Sequence, residues 1–280
     1  MCGTCGCGDE TGATILDLQT GEHVHADGTR HTHAHDHHGH EHHHDHGHDH
    51  HHHHQHEHEH IDLNARILAK NDALAARNRA WFAGREILAL NLVSSPGAGK
   101  TTVLERTVHA LRDRYALSVI EGDQATAHDG ERIRAAGAAA VQINTGTGCH
   151  LEADMVARAV QQLRPSPGAL VLIENVGNLV CPALFDLGER AKVVVFSVTE
   201  GEDKPLKYPH MFRAAGLVLL SKTDLLPHLD FDVERAIANL HRVNPACELL
   251  RVSAKTGEGL QDWFAWIARQ HAAAREAAFT

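Results

Sequence analysis

The sequence predicts an α/β fold: a mostly parallel β-sheet covered by helices on both faces, preceded by a long N-terminal tail with no core of its own. Three observations carry this expectation. From residue 87 onward, short and nearly continuous apolar runs alternate with amphipathic stretches, the pattern of strands buried on both faces. A glycine-rich turn ending in lysine follows the first of these runs, where a helix opens. Composition then divides the chain. Residues 1–60 carry 11 Asp/Glu and one Arg, a net of −10, whereas residues 61–280 carry 25 acids and 25 bases.

Residues 1–8 hold Cys2, Cys5 and Cys7 in a Cys-x-x-Cys-x-Cys spacing. The intervening glycines let the backbone fold back so that the thiolates converge. Removal of Met1 would free an amine beside them. Mixed nitrogen and sulfur donors in a plane suit Ni(II) or Cu(II), and tetrahedral sulfur suits zinc. The spacing alone leaves nickel and zinc both open, with a disulfide as the bland alternative.

Residues 9–60 follow, and between His23 and His60 they contain 21 of the chain's 28 histidines. No aliphatic side chain larger than alanine occurs after Val24 and before Ile61. Such a stretch buries too little apolar surface to offset chain entropy, so disorder is expected. Most imidazoles are neutral at pH 7 and free to bind metal. Their density suits exchangeable metal storage rather than one site. An affinity tag is the alternative, but the segment is internal, long and mixed with acids.

Residues 61–280 are expected to form one domain. Residues 61–82 read as a leading helix, with a packing role preferred to a catalytic one. Strands are expected at 87–93, 117–121, 139–144, 169–174, 192–198, 217–221 and 249–252. Helices are expected at 100–115, 151–163, 227–240 and 260–273. The balanced charge gives no basic excess for nucleic acid. No apolar run is long enough for a membrane helix, and the N-terminus is no signal peptide. Six clustered cysteines suit free thiols in a cytoplasmic, reducing setting.

The chemistry concentrates in the loops after the expected strands. Ser94-Ser95-Pro96-Gly97-Ala98-Gly99-Lys100-Thr101 matches the phosphate loop G-x-x-x-x-G-K-[ST], with Ser94 for the first glycine. Gly97 and Gly99 let backbone N–H groups turn inward around Ala98 toward phosphate oxygens. The helix from Lys100 adds its positive end, and Thr102 continues it. Lys100 is expected to reach the β- and γ-phosphates and Thr101 to hold Mg²⁺. Ser221-Lys222-Thr223-Asp224 resembles the guanine motif N-K-x-D, with Ser for Asn, and Ser253-Ala254-Lys255 matches the S-A-K loop. A carboxylate at Asp224 accepts the two N–H donors of guanine, which adenine lacks, so GTP is expected over ATP.

Two further loops are candidates for Mg²⁺ and the attacking water: Asp123 in Gly122-Asp123-Gln124, and Glu174 with Gly177 in Glu174-Asn175-Val176-Gly177. Either acid is a candidate for positioning the water. No arginine adjoins these loops except Arg132 at some remove, so slow turnover without a partner is expected. Cys149, His150 and Cys181 form a candidate second metal site. Adjacent residues point about 100° apart on a helix, so Cys149 and His150 are expected to need Cys181 and a second subunit to complete it.

On these motifs the chain resembles the nickel-incorporation GTPases of hydrogenase maturation, the HypB family. The resemblance rests on Cys2, Cys5 and Cys7, the loop 95–101, Gly122-Asp123-Gln124, Gly148-Cys149-His150, the stretch 174–182 and Lys222-Thr223-Asp224. It implies a P-loop domain that works through nucleotide-dependent homodimers, and delivery of Ni²⁺ to the [NiFe]-hydrogenase large subunit together with the maturation factor HypA. It also implies a nickel site at Cys2, Cys5 and Cys7, and a Zn²⁺ or Ni²⁺ site at Cys149, His150 and Cys181 on the dimer interface. Two rivals remain: the urease nickel GTPase, not expected to combine all three cysteine features, and a nickel storage protein whose P-loop domain does not hydrolyse GTP.

Overall fold

The computed structural model describes residues 14–17, 22–24, 30–32, 56–123, 128–146 and 148–276. Three short strands come first: β1 (Thr14–Asp17), β2 (Glu22–Val24) and β3 (Arg30–Thr32). A 28-residue helix α1 (His56–Ala83) leads into β4 (Leu88–Ser94), α2 (Lys100–Leu111) and β5 (Leu117–Asp123). Then come α3 (His128–Ala136), β6 (Ala139–Asn144), α4 (Ala153–Leu163) and β7 (Leu170–Glu174). The short α5 (Cys181–Leu184), β8 (Ala191–Ser197), α6 (Lys204–Lys207), α7 (Pro209–Ala214) and β9 (Ala215–Ser221) follow. A 3₁₀ turn (Thr223–His228), α8 (Val233–Val243), β10 (Glu248–Arg251) and α9 (Leu260–Glu276) close the described chain.

Among the described residues, ten strands form one sheet in the order β10-β9-β8-β4-β7-β5-β6-β1-β2-β3. The seven strands from β10 to β6 are parallel, and β1–β3 add an antiparallel meander on the β6 edge. The expected α/β architecture is therefore present. Successive residues of a strand face opposite layers. Leu88, Leu90 and Leu92 of β4 pack with Leu104, Val108, Trp263 and Ile267 under α2 and α9. Ala89, Val171 and Ile173 face the other way, onto Phe82, Val156 and Val160 from α1 and α4. A third cluster joins Phe196, Leu220, Phe212 and Leu240 beneath α7 and α8.

The structure departs from the sequence expectations in several places. Residues 9–60 were expected to lack structure throughout, but β1–β3 lie within them and α1 begins at His56 rather than 61. The meander's order comes from main-chain pairing with β6, which composition does not register. The expected helix at 227–240 is instead a 3₁₀ turn followed by α8 from Val233, capped by Asp232 accepting from Arg235 N–H at 3.0 Å. Helix α3 was not anticipated, because HDGERIRAA is too polar to show a clear apolar stripe. None of the helices among the described residues is long and apolar enough to cross a membrane.

Candidate functional site

Parallel strands end at one edge of the sheet, and loops leaving that edge form the site. Strands β4, β5, β7 and β9 end there with Ser94, Asp123, Glu174 and Ser221. After β4 the chain turns through Gly97 (φ 72°) and Gly99 (φ 97°), left-handed conformations that glycine adopts without strain. Gly99 immediately precedes α2, so the helix N-terminus faces the turn. Lys100, 8% exposed, donates to Ser94 Oγ at 3.0 Å and lies 4.0 Å from Glu174 Oε1. Thr101 Oγ1 donates to Glu174 Oε1 at 2.7 Å. Thr102 is the third residue of α2. Asp123 ends β5, and its carbonyl accepts from Thr145 N–H at 2.9 Å.

The loop after β9 is tied to this turn. Ser221 Oγ donates to Ala98 O at 2.7 Å and Lys222 Nζ to Gly97 O at 2.7 Å. The serine that stands for asparagine in the guanine motif thus makes a supporting hydrogen bond through its buried hydroxyl. Lys222 adopts φ 59°, which turns the chain into the 3₁₀ turn carrying Asp224. Ser253 Oγ donates to Asp224 Oδ1 at 2.7 Å, joining the two segments expected to recognise the base. Arg106 of α2, overlooked in the sequence, holds Ala254 O at 2.7 Å and Lys255 O at 3.2 Å. Arg132 pairs with Glu105 Oε2 at 2.7 Å on the flank of α2.

The loop after β7 lies on the phosphate turn. A Cβ on Gly177 would stand 3.1 Å from Pro96 Cα and 3.2 Å from Pro96 N, so the two backbones approach closely. Four residues on, Cys181 opens α5. Its Sγ lies 3.0 Å from Cys149 Sγ, and Cys149 Sγ lies 3.6 Å from His150 Nδ1. The three ligand atoms fall within 4.8 Å of one another. Cys149 and His150 were expected to diverge, but they precede α4 in an irregular loop where helical geometry does not apply. One chain therefore gathers three ligands.

The set suits a borderline metal ion. Two sulfurs and an imidazole nitrogen are donors that Zn²⁺ and Ni²⁺ accept. Burial pushes His150 down to about 4, so the ring is neutral at pH 7 with a nitrogen available. The His150 ring is tilted against Phe185 with centroids 3.9 Å apart, which fixes its plane. Cys2, Cys5 and Cys7 lie outside the described residues.

The sequence also gave no sign of how this loop is held. Asn71 and Asn78 of α1 clamp it: Asn71 Oδ1 accepts from Ala153 N–H at 2.9 Å, and Asn78 Nδ2 donates to Ala153 O at 2.8 Å and Leu187 O at 3.0 Å. The leading helix is thus a platform for both ligand-bearing loops. A pair of asparagines seven residues apart on one helix face was the only available signal.

The family described as "CobW/HypB/UreG, nucleotide-binding domain" matches residues 88–251. The hydrogenase maturation factor HypB of Azotobacter chroococcum mcd 1 is 62% identical over 213 residues, which cover 76% of this chain and 70% of that protein. HypB from Archaeoglobus fulgidus matches in structure with a TM-score of 0.68 at 36% identity, over 72% of this chain and 99% of that one. HypB from Helicobacter pylori, solved in complex with nickel, gives a TM-score of 0.67 at 38% identity, over 72% and 95%.

Proposed function

Because the chain belongs to the HypB hydrogenase maturation factors of the CobW/HypB/UreG nucleotide-binding family, we propose that it is a GTPase that binds nickel and couples GTP hydrolysis to nickel insertion into [NiFe]-hydrogenase. The observation that carries this reading is the placement of Cys181. It shares one short loop with Gly177, which packs on Pro96 of the phosphate turn, and it sits 3.0 Å from Cys149.

In this reading Lys100 and the N–H groups of Gly97–Thr101 bind the β- and γ-phosphates of GTP. Thr101 and Glu174, already sharing a hydrogen bond of 2.7 Å, supply oxygen donors for Mg²⁺ with Asp123 on the neighbouring strand. That ion, when bound, offsets phosphate charge. Asp224 accepts the guanine N–H donors, oriented by Ser253, while Ala254 and Lys255 line the base. Glu174 or Asp123 orients the attacking water, and the Gly177 N–H senses the γ-phosphate. Turnover is slow without a partner, because Arg132, the arginine nearest these loops in sequence, is engaged with Glu105. Lys100→Ala abolishes it.

Nickel is cargo. Cys149, His150 and Cys181 hold Ni²⁺ or Zn²⁺, completed by a second subunit in a GTP-dependent homodimer. Cys2, Cys5 and Cys7 form a separate nickel site and the histidines a reservoir. HypA and the hydrogenase large subunit are the partners, in the cytoplasm, where thiols stay reduced. The test is titration with Ni²⁺ and Zn²⁺ in GDP and in a non-hydrolysable GTP analogue, with dimer fraction measured alongside and Cys181→Ala as control. Affinity and dimer fraction are expected to differ between the nucleotide states. Equality in both overturns the coupling.

A further inference from the structure

Leu151, fully buried, follows the metal ligand His150 by one peptide. It lies between the end of β5 and the loop after β7. A Cβ on Gly122 would stand 2.8 Å from Leu151 Cγ, so the Leu151 side chain lies flush against the last residues of β5. On the other side, Leu151 N–H donates to Asn175 Oδ1 at 3.1 Å. The same oxygen accepts from Val176 N–H at 3.0 Å. One buried amide oxygen therefore carries a donor from the metal loop and a donor from the loop that packs on the phosphate turn.

The orientation of that amide is fixed from behind. Asn175, 1% exposed, donates through Nδ2 to Asn91 Oδ1 at 3.3 Å. Asn91 donates through its own Nδ2 to Glu189 Oε1 at 3.0 Å. A carboxylate accepts only, so Asn91 must present its oxygen to Asn175, and Asn175 must present its oxygen to the two N–H groups. A second strap runs beside the first. Asn178 Nδ2 donates to Cys149 O at 3.3 Å, while its Oδ1 accepts from Val180 N–H at 2.8 Å.

We propose that Asn175 and Asn178 are the positioning residues through which the Glu174–Cys181 loop sets the geometry of Cys149 and His150. The physical reason is the penalty on separation. If the loop shifts with the γ-phosphate and the metal loop does not follow, the buried Leu151 N–H loses its acceptor, which is unfavourable. The two loops therefore move together. Cys181 is covalently part of the moving loop, and the straps bring the other two ligands along with it.

This inference rests on the proposed coupling of nucleotide and metal. The test uses the full chain carrying Cys2→Ser, Cys5→Ser and Cys7→Ser, so that thiolate-to-nickel charge-transfer absorption reports Cys149 and Cys181. Ni²⁺ is titrated against a competing chelator in GDP and in a non-hydrolysable GTP analogue. In this parent the two affinities are expected to differ by a factor on the order of 5–150. Asn175→Ala is expected to bring the factor within about twofold, and Asn178→Ala, at a more open position, to reduce it in part. Asn244→Ala, which cuts a remote amide clamp on Phe212 O and Ala215 O, retains the factor, separating positioning from general loss of stability. A parent with equal affinities overturns the underlying coupling. A coupled parent whose factor survives both Asn175→Ala and Asn178→Ala overturns this inference alone; if Asn175→Ala yields no folded protein, Asn178→Ala decides.

Discussion

Cys247 shows what burial does to a thiol that has no ligand role. It is 5% exposed among the third core cluster, and burial pushes its pKa up to about 11. The protonated form is therefore favoured in the native state. That contribution to stability is fully present below about pH 9, the value of a free thiol here, and is lost as pH rises through about 11. Alkylation at pH 8 is expected to modify the half-exposed Cys149 rapidly and Cys247 only as the protein unfolds. Mass-spectrometric timing of adducts checks this; prompt labelling of Cys247 in folded protein contradicts it. The same rule runs the other way at His150, where burial favours the neutral ring and so leaves a nitrogen lone pair for a metal.

Helix α1 packs against the segment that leads into β8 at Gly188. With φ 89°, a Cβ there would fall 2.5 Å from Ala75 O and 2.6 Å from Asn78 Cβ. Gly188→Ala is expected to cost more than about 2 kcal/mol, by strain and by lifting α1 from the loop it clamps. Urea denaturation measures it, and a change under about 0.5 kcal/mol contradicts the close approach. This contact was invisible in the sequence, as were the Asn71 and Asn78 clamps, because each joins residues far apart in the chain. What was legible were local regularities. The parallel strands read correctly because Leu-Val-Leu-Ile-Glu or Leu-Val-Leu-Leu-Ser runs state their burial directly. The turn before α2 was legible because its two glycines, both left-handed in the structure, lie within eight residues. Cys149, His150 and Cys181 were expected together and the structure brings them together, but their directions were misjudged, since an irregular loop sets its own directions and a helical wheel does not describe it. The meander was missed because Thr-Ile-Leu-Asp and Arg-His-Thr become strands through their neighbour, not through themselves.

At the scale of the whole molecule, β3 ends at Thr32 and α1 begins at His56. Residues 33–55 contain 15 histidines. Their deletion is expected to remove several bound Ni²⁺ per chain in equilibrium dialysis and to leave the melting temperature within about 2 °C, because that stretch has no aliphatic side chain larger than alanine to add to a core. Unchanged metal stoichiometry contradicts the reservoir. The register of β1 has a different consequence. Thr14 pairs with Asn144, the last residue of β6, five positions before Cys149. Cys7 precedes Thr14 by seven residues, a leash of at most roughly 25 Å when taut. If nickel is bound at Cys2, Cys5 and Cys7, the bound ion stays within that leash of Asn144, at an effective concentration of roughly millimolar toward Cys149, His150 and Cys181. The strand that carries the chain onward from those thiols is thereby moored to the strand that leads into the loop of Cys149 and His150.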